Sequence, residues 1–211
     1  MASDTRARMV AGAADLLSRR GVNATSLRDV VRHTGTPRGS LAHHFPLGKH
    51  QLIADAIVYA GRQVSGPLRH LVQERGPIAG LRAFIGLWRS TLEKSRYRAG
   101  CPVLAVAVEQ YTGEAGDKAA AQEKAAQQHL LDLAHGVFTD WQTIMIDGLQ
   151  RDGVTPARAR RLAALIVASI EGTVAMCRAA RSAQPLDDVG QELELVLAAS
   201  LKERPSRRQG T

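Results

Sequence analysis

TSLRDVVRHTGTPRGSLAHHF, residues 25–45, carries the signals of two helix starts separated by one tight turn. Thr25 or Ser26 is placed to cap a helix. Asp29, three residues after Ser26, completes a capping box and meets the positive end of the helix dipole. Leu27, Val30 and Val31 give that helix its inward face. Gly35 supplies a positive-φ turn, Thr36 caps a further helix, and Pro37 fits its first turn, where no amide donor is missed. The stretch reads as helix, tight turn, helix.

Leu41 and Phe45, four residues apart, anchor one edge of the last helix and leave Arg38, Gly39, Ser40, Ala42 and His43 directed outward. A short helix with a polar amino-terminal half, small residues and a cation suits a DNA major groove. Arg38 is able to fork to a guanine edge or grip a phosphate. Ser40 and His43 are able to hydrogen-bond to bases or phosphates, and no Cβ at Gly39 obstructs close approach. Lys49, beside Gly48 at the start of the following helix, is placed to meet a phosphate with help from the helix dipole.

Around this stretch the pattern is helical. Met9, Val10, Ala13, Leu16 and Leu17 form a stripe over residues 6–19, closed by Gly21 as a C-cap. Breaks follow at RGP (75–77), AGCP (99–102), TGEAGDK (112–118), RDGVTP (151–156) and SAQPLDD (182–188), which makes roughly nine helices. VSGP at 64–67 predicts a kink. With aromatics at 4%, abundant Ala, Leu and Arg, and no stretch of strand-type alternation, the expected fold class is all-α. The expected domains are a three-helix head over 1–50, an antiparallel helical bundle over 51–203 and a basic flexible tail over 204–211.

The 211 residues carry 28 Lys+Arg against 20 Asp+Glu, a formal charge of +8, and the sequence pI is about 10.2. The cations concentrate in the first fifty residues, where Arg6, Arg8, Arg19, Arg20, Arg28, Arg32, Arg38 and Lys49 face only Asp4, Asp15 and Asp29. Arginines alone read as solvated surface; around a capped helix-turn-helix they point to nucleic acid.

Residues 5–57, TRARMVAGAADLLSRRGVNATSLRDVVRHTGTPRGSLAHHFPLGKHQLIADAI, resemble the amino-terminal domain of TetR-type transcriptional repressors. The resemblance implies a double-stranded DNA operator as partner and a contact set of Thr25, Arg28, Thr36, Arg38, Gly39, Ser40, Ala42, His43, His44 and Lys49. Ala42 departs from the family's usual aromatic, commonly a tyrosine that contacts phosphate or bases. Alanine is sized to touch a thymine methyl instead, and His43 or His44 is positioned to compensate for the ring.

GSLAHHFPLGKHQL (39–52), GCPVLAVAVE (100–109) and LAALIVASIEGTVAMCRAARSAQPLDDV (162–189) resemble the LmrA/YxaF-like subgroup. That resemblance implies a carboxyl-terminal bundle that forms a homodimer, holds a small-molecule pocket and releases DNA when a largely apolar effector fills it.

Two apolar stripes serve such a bundle as core or as pocket wall: Leu81, Phe84, Ile85, Trp88 and Leu92, then Val137, Phe138, Trp141, Ile144 and Met145. Phe84, Trp88, Val106, Phe138, Trp141 and Met145 are the apolar candidates for the pocket. Glu109 either orients a ligand there or marks the solvent edge; Glu171 either does the same or pairs with an arginine across a dimer. For the dimer interface the candidates are Leu162, Leu165, Ile166, Ser169, Ile170 and Thr173, followed by Leu193, Val196 and Leu197.

Enzyme chemistry finds no support. His43 and His44 point in different directions on a helix and lack acidic or thiol neighbours at ligand spacing, while His129 and His135 fall on nearly opposite faces, so no metal site is expected. No nucleophile elbow, phosphate-binding loop or dinucleotide glycine pattern is present, and no cofactor is implied. Cys101 and Cys177 read as buried thiols. With no secretory signal and no expected membrane span, the protein is expected in the cytoplasm. The competing class is a helical small-molecule-binding dimer whose head has lost operator recognition, a reading sustained by Ala42.

Overall fold

The computed structural model describes residues 2–110 and 117–202. The expected basic tail and most of the TGEAGDK break lie outside them. Among the described residues there are eight helices and no strand: α1 Ala2–Arg20, α2 Leu27–Thr34, α3 Ser40–His44, α4 Gly48–Lys94, α5 Pro102–Val108, α6 Asp117–Arg151, α7 Pro156–Ala180 and α8 Gln184–Lys202. The fold is all-α.

α4 is interrupted once, at Gly76, where φ 80° and ψ 176° leave the helical region. The RGP signal therefore marks a real break. VSGP does not: Pro67 sits within continuous helix. Its ring faces solvent, and the turn around it is held by Asp140, which accepts from Ser65 Oγ at 2.5 Å and from Arg69 at 2.6 Å. Only glycine tolerates the Gly76 backbone, so the chain breaks there rather than at the proline.

Packing divides the chain into two compact units, residues 1–63 with 98–138, and residues 64–97 with 139–211. The division differs from the expected boundary near residue 50 because α5 and the start of α6 belong with the head. In the first unit α1 packs on α2 and α5, and Met9, Leu17, Val30, Phe45, Ile53, Ile57, Val103, Val106 and Leu130 are buried.

The second unit buries Leu81, Phe84, Trp88, Leu92, Trp141, Met145, Ile166, Ile170, Leu186 and Leu197, with α7 packed on α8. Gly190 lets α8 approach closely, since a Cβ there would lie 2.9 Å from Ile85 Cδ1. Arg82 with Glu194 and Arg89 with Asp187 pair across α4 and α8. α7 is long and apolar enough to cross a membrane by length and composition, with mean hydropathy 1.6 over an eighteen-residue window, half of which is buried inside the protein.

Candidate nucleic-acid interface

The capping box forms as expected around Ser26 and Asp29: Asp29 N donates to Ser26 Oγ at 3.1 Å, and Asp29 Oδ2 accepts from the Ser26 hydroxyl at 2.6 Å and from its amide at 3.3 Å. Those bonds hold the Asp29 carboxyl below its ordinary range, the hydroxyl contributing most. A cap of this kind contributes about 1 kcal/mol to a helix. Gly35, with φ 61°, ends α2 and donates its amide to Val31 O.

Two threonines assigned to DNA turn out to serve the fold. Thr25 is 3% exposed and its hydroxyl donates to Gly21 O at 2.7 Å. Thr36 is 5% exposed and shares a hydrogen bond with Thr34 Oγ1 at 2.8 Å. Thr36 caps no helix: α3 begins only at Ser40, after a turn in which Ser40 N and Leu41 N donate to Pro37 O and Arg38 O at 3.1 and 3.4 Å. The Pro37 ring and the short turn delay the helix by three residues.

What faces outward is the rest of the expected set. Arg28, Arg38, Gly39, Ala42 and His43 are exposed, and Ser40 and His44 are half-buried. Arg28, Arg32 and Arg38 line one open hollow with Val31, Gly35 and Thr36, so three arginines border a single concavity. Arg32 was missing from the sequence-derived contact set, although its i,i+4 spacing from Arg28 was a usable signal; it also pairs with Asp29. Beneath α3, Phe45 is 2% exposed and carries the Arg6 guanidinium over its ring at 5.4 Å, while Arg6 pairs with Asp55 at 2.6 Å. The outward face is thus held from below by packing, a stacked cation and an ion pair.

Lys49 is half-buried near the α4 start. Burial lowers its pKa, and the Glu109 charge opposes that shift. Glu109 belongs to the first unit, and Phe84, Trp88 and Trp141 to the second. Glu109 Oε2 accepts from the Val22 and Asn23 amides at 2.9 and 3.1 Å, and Asn23 Nδ2 returns a bond to Gln110 O at 2.8 Å. The carboxylate fills the space over Gly21, where φ is +81° and a Cβ would fall 1.6 Å from Oε1. Glu109 is half-buried between the exposed Val108 and Gln110, and its carboxylate is committed to the turn between α1 and α2. Charge-assisted bonds are worth about 1.5–3 kcal/mol each at most. Glu109→Ala is accordingly expected to lower unfolding stability by about 1–3 kcal/mol in urea titration. Glu109→Gln, which keeps one acceptor oxygen, is expected to lose less, and equal stability of both variants with the parent would show that the bonds are not maintained in solution.

The remaining pocket candidates divide between the units: Val106 and Phe138 lie in the first, and Phe84, Trp88, Trp141, Met145 and Glu171 in the second. Val106 is buried and Phe138 half-buried. Phe84 stacks edge-on against Trp141 at 5.5 Å between centroids and lies 6.4 Å from Trp88. Phe84, Trp88, Trp141, Met145 and Glu171 are all at most 4% exposed, so in this state the stripe is closed core. The buried Trp88 Nε1 has no acceptor among the described residues.

The interface candidates need correction. Leu162, Ile166, Ile170, Thr173, Leu193 and Leu197 are at most 4% exposed within one chain and are unavailable to a second. Leu165 is 45% exposed, and Ser169 and Val196 are half-buried. The outward face of α7 instead runs through Leu165, Ala168, Gly172, Ala175, Met176 and Ala179, with Met176 57% exposed; on α8 it includes Leu195, 63% exposed.

Comparison with known proteins agrees with this geometry. The family described as "Bacterial regulatory proteins, tetR family" matches residues 9–56, and "Transcriptional regulator LmrA/YxaF-like, C-terminal domain" matches residues 77–192. An uncharacterized HTH-type transcriptional regulator of Mycobacterium tuberculosis is 38% identical over 94% of this chain and 97% of its own length. The HTH-type transcriptional regulator LmrA of Bacillus subtilis is 24% identical over 87% and 91%. Among solved structures, a TetR transcriptional regulator from Chloroflexus aurantiacus is similar with a TM-score of 0.67, at 27% identity over 96% of each chain. A regulatory protein TetR from Rhodobacter sphaeroides shares the fold with a TM-score of 0.72, at 17% identity over 90% and 96%. The chain belongs to the TetR family of helix-turn-helix, DNA-binding bacterial regulators, with a carboxyl-terminal domain of the LmrA/YxaF-like kind.

Proposed function

We propose that the protein is a homodimeric, cytoplasmic repressor that reads a two-fold symmetric DNA operator with α3 and is released by a small, largely apolar effector. The observation that carries this reading is the outward α3 face, exposed at Arg38, Gly39, Ala42 and His43 and adjoining the three-arginine hollow. Residues 1–50 serve as the DNA-binding head and 51–203 as the effector-binding and dimerisation region. Two heads about one DNA turn apart are what a two-fold operator requires.

For the effector, Phe84, Trp88, Trp141 and Met145 provide aromatic and adaptable apolar surface, and Trp88 Nε1 provides a buried donor for an acceptor on the ligand. The likeness of the carboxyl-terminal region to the LmrA/YxaF-like kind supports a ligand-responsive bundle. An effector acts by binding one separation of the two heads better than the other.

Selection of random double-stranded DNA on the purified protein, followed by titration of the enriched sequence at several salt concentrations, tests the reading. A two-fold symmetric site with a steep salt dependence is the expected result. A folded dimer that enriches nothing would point to a ligand-binding protein without operator recognition, with Ala42 as the responsible position.

Gly39 offers a sharper test of close approach. Its φ is −65°, and a Cβ there would meet nothing within 4 Å inside the protein. Gly39→Ala is therefore expected to leave thermal stability unchanged or slightly raised, while weakening operator binding about tenfold through obstruction of the DNA backbone. Unchanged binding would show that the Gly39 backbone does not touch the groove.

A further inference from the structure

His50, two residues into α4, and His129, on α6, converge within the first unit. His50 Nε2 lies 3.2 Å from His129 Nδ1 and 3.2 Å from the carbonyl oxygen of Ala126, one helical turn before His129. The rings are 5.0 Å apart between centroids and tilted by 48°, with the two nitrogens at hydrogen-bond distance. His129 is exposed and His50 half-buried.

We propose that His50 and His129 form a two-histidine binding site for a borderline divalent transition-metal ion of the zinc, cobalt and nickel class. Zinc–imidazole bonds of about 2.0–2.1 Å, opened to a tetrahedral angle, place two ring nitrogens about 3.3 Å apart. The observed 3.2 Å is already that bite. Nitrogen donors and the absence of a carboxylate in the pair select against magnesium and calcium, which prefer oxygen.

The Ala126 carbonyl retains a second lone pair beyond its helix bond and stands where it contributes a third donor or a bond to a metal-bound water. Water occupies the remaining positions, reached from the His129 side. Without a metal, a His50 Nε2–H tautomer can donate to His129 Nδ1 or Ala126 O; on metal entry the ring carries its proton on Nδ1 instead, leaving the Nε2 lone pair for the ion. Among the described residues no three His, Cys, Asp or Glu side chains gather around an ion, so the expected affinity is on the order of micromolar, short of a closed structural zinc site.

The test uses the full chain without DNA, so it succeeds or fails independently of operator recognition. Zinc chloride is titrated calorimetrically, and cobalt chloride is followed by its visible ligand-field absorption. One ion per chain is expected, with nitrogen-ligated cobalt bands. His50→Gln and His129→Gln are each expected to weaken zinc binding at least tenfold, roughly the loss that follows removal of even an outer partner of a metal ligand. The exposed His70 and His135 are the control: His70→Gln/His135→Gln should leave the titration unchanged. Zinc binding that is absent, or equal in the parent and in His50→Gln/His129→Gln, would overturn the site. The cobalt spectrum of the unaltered chain decides the matter even if the His50 variant fails to fold.

Discussion

Arg38→Ala is expected to weaken binding to the selected operator by roughly 5- to 150-fold for each half-site and to relax base preference at one position in each, the cost of losing one bidentate guanine contact per head. Most arginines of the head are already engaged: Arg6 with Asp55, Arg8 with Thr34 O, Arg19 with Asp15 and Arg32 with Asp29. Arg38 is exposed, lines the basic hollow and takes no ion pair among the described residues. Removing it leaves no buried partner stranded, so unfolding stability should change by no more than about 0.5 kcal/mol. Loss of affinity with stability unchanged isolates recognition from folding.

Salt titration separates the two roles open to Arg38. If it grips a phosphate, affinity falls uniformly on all sequences and the salt slope drops by about two, one for each head. If it reads a base, discrimination between operator and scrambled DNA collapses first. Operator binding that matches the parent in affinity, selectivity and slope would show that α3 is not the reading element.

The parts of the head that sequence reasoning placed correctly are governed by neighbours in the chain. Ser26 and Asp29 cap each other, and Gly35 adopts the one backbone region its side-chain-free residue favours. Thr25 and Thr36 are buried, which sequence reasoning did not show because burial is not local. A threonine before a helix serves equally as a cap, a phosphate donor or a buried bridge, and only packing against Gly21 and Thr34 decides which. Glu109 shows the same limit at greater distance. Its partners, Val22 and Asn23, lie 87 and 86 positions away, and no periodicity connects them. Pro67 was given too much weight and Gly76 too little, since a proline's lost bond is tolerable on a solvated face, while the Gly76 backbone excludes continued helix outright. The pairing of His50 with His129 escaped notice for a further reason: a metal-ligand search by spacing does not see two histidines from separate helices.

The second large effect concerns assembly, where periodicity misled most. An apolar stripe shows that a helix face avoids water, without saying whether its own chain or a second copy covers it. On α7 the bulkiest stripe, Leu162, Ile166 and Ile170, is consumed by the core, and the opposite face keeps Leu165 and Met176 among small residues that permit close helix crossing. In an isologous dimer every substitution enters twice. Leu165→Glu/Met176→Glu places four carboxylates in the proposed interface and forfeits about 1.5–3 kcal/mol of burial for each side chain that becomes fully covered. The expected result is a folded monomer by sedimentation velocity, with helical content intact and operator affinity reduced on the order of 100-fold or more, because a single head reads only one half-site. Leu162→Glu is the discriminating comparison. Leu162 is 1% exposed in its own chain, so that variant should unfold at lower urea concentration rather than yield a clean monomer. If Leu165→Glu/Met176→Glu remained dimeric, the pairing face would have to lie elsewhere on the chain, and the exposed α7 stripe would need another partner.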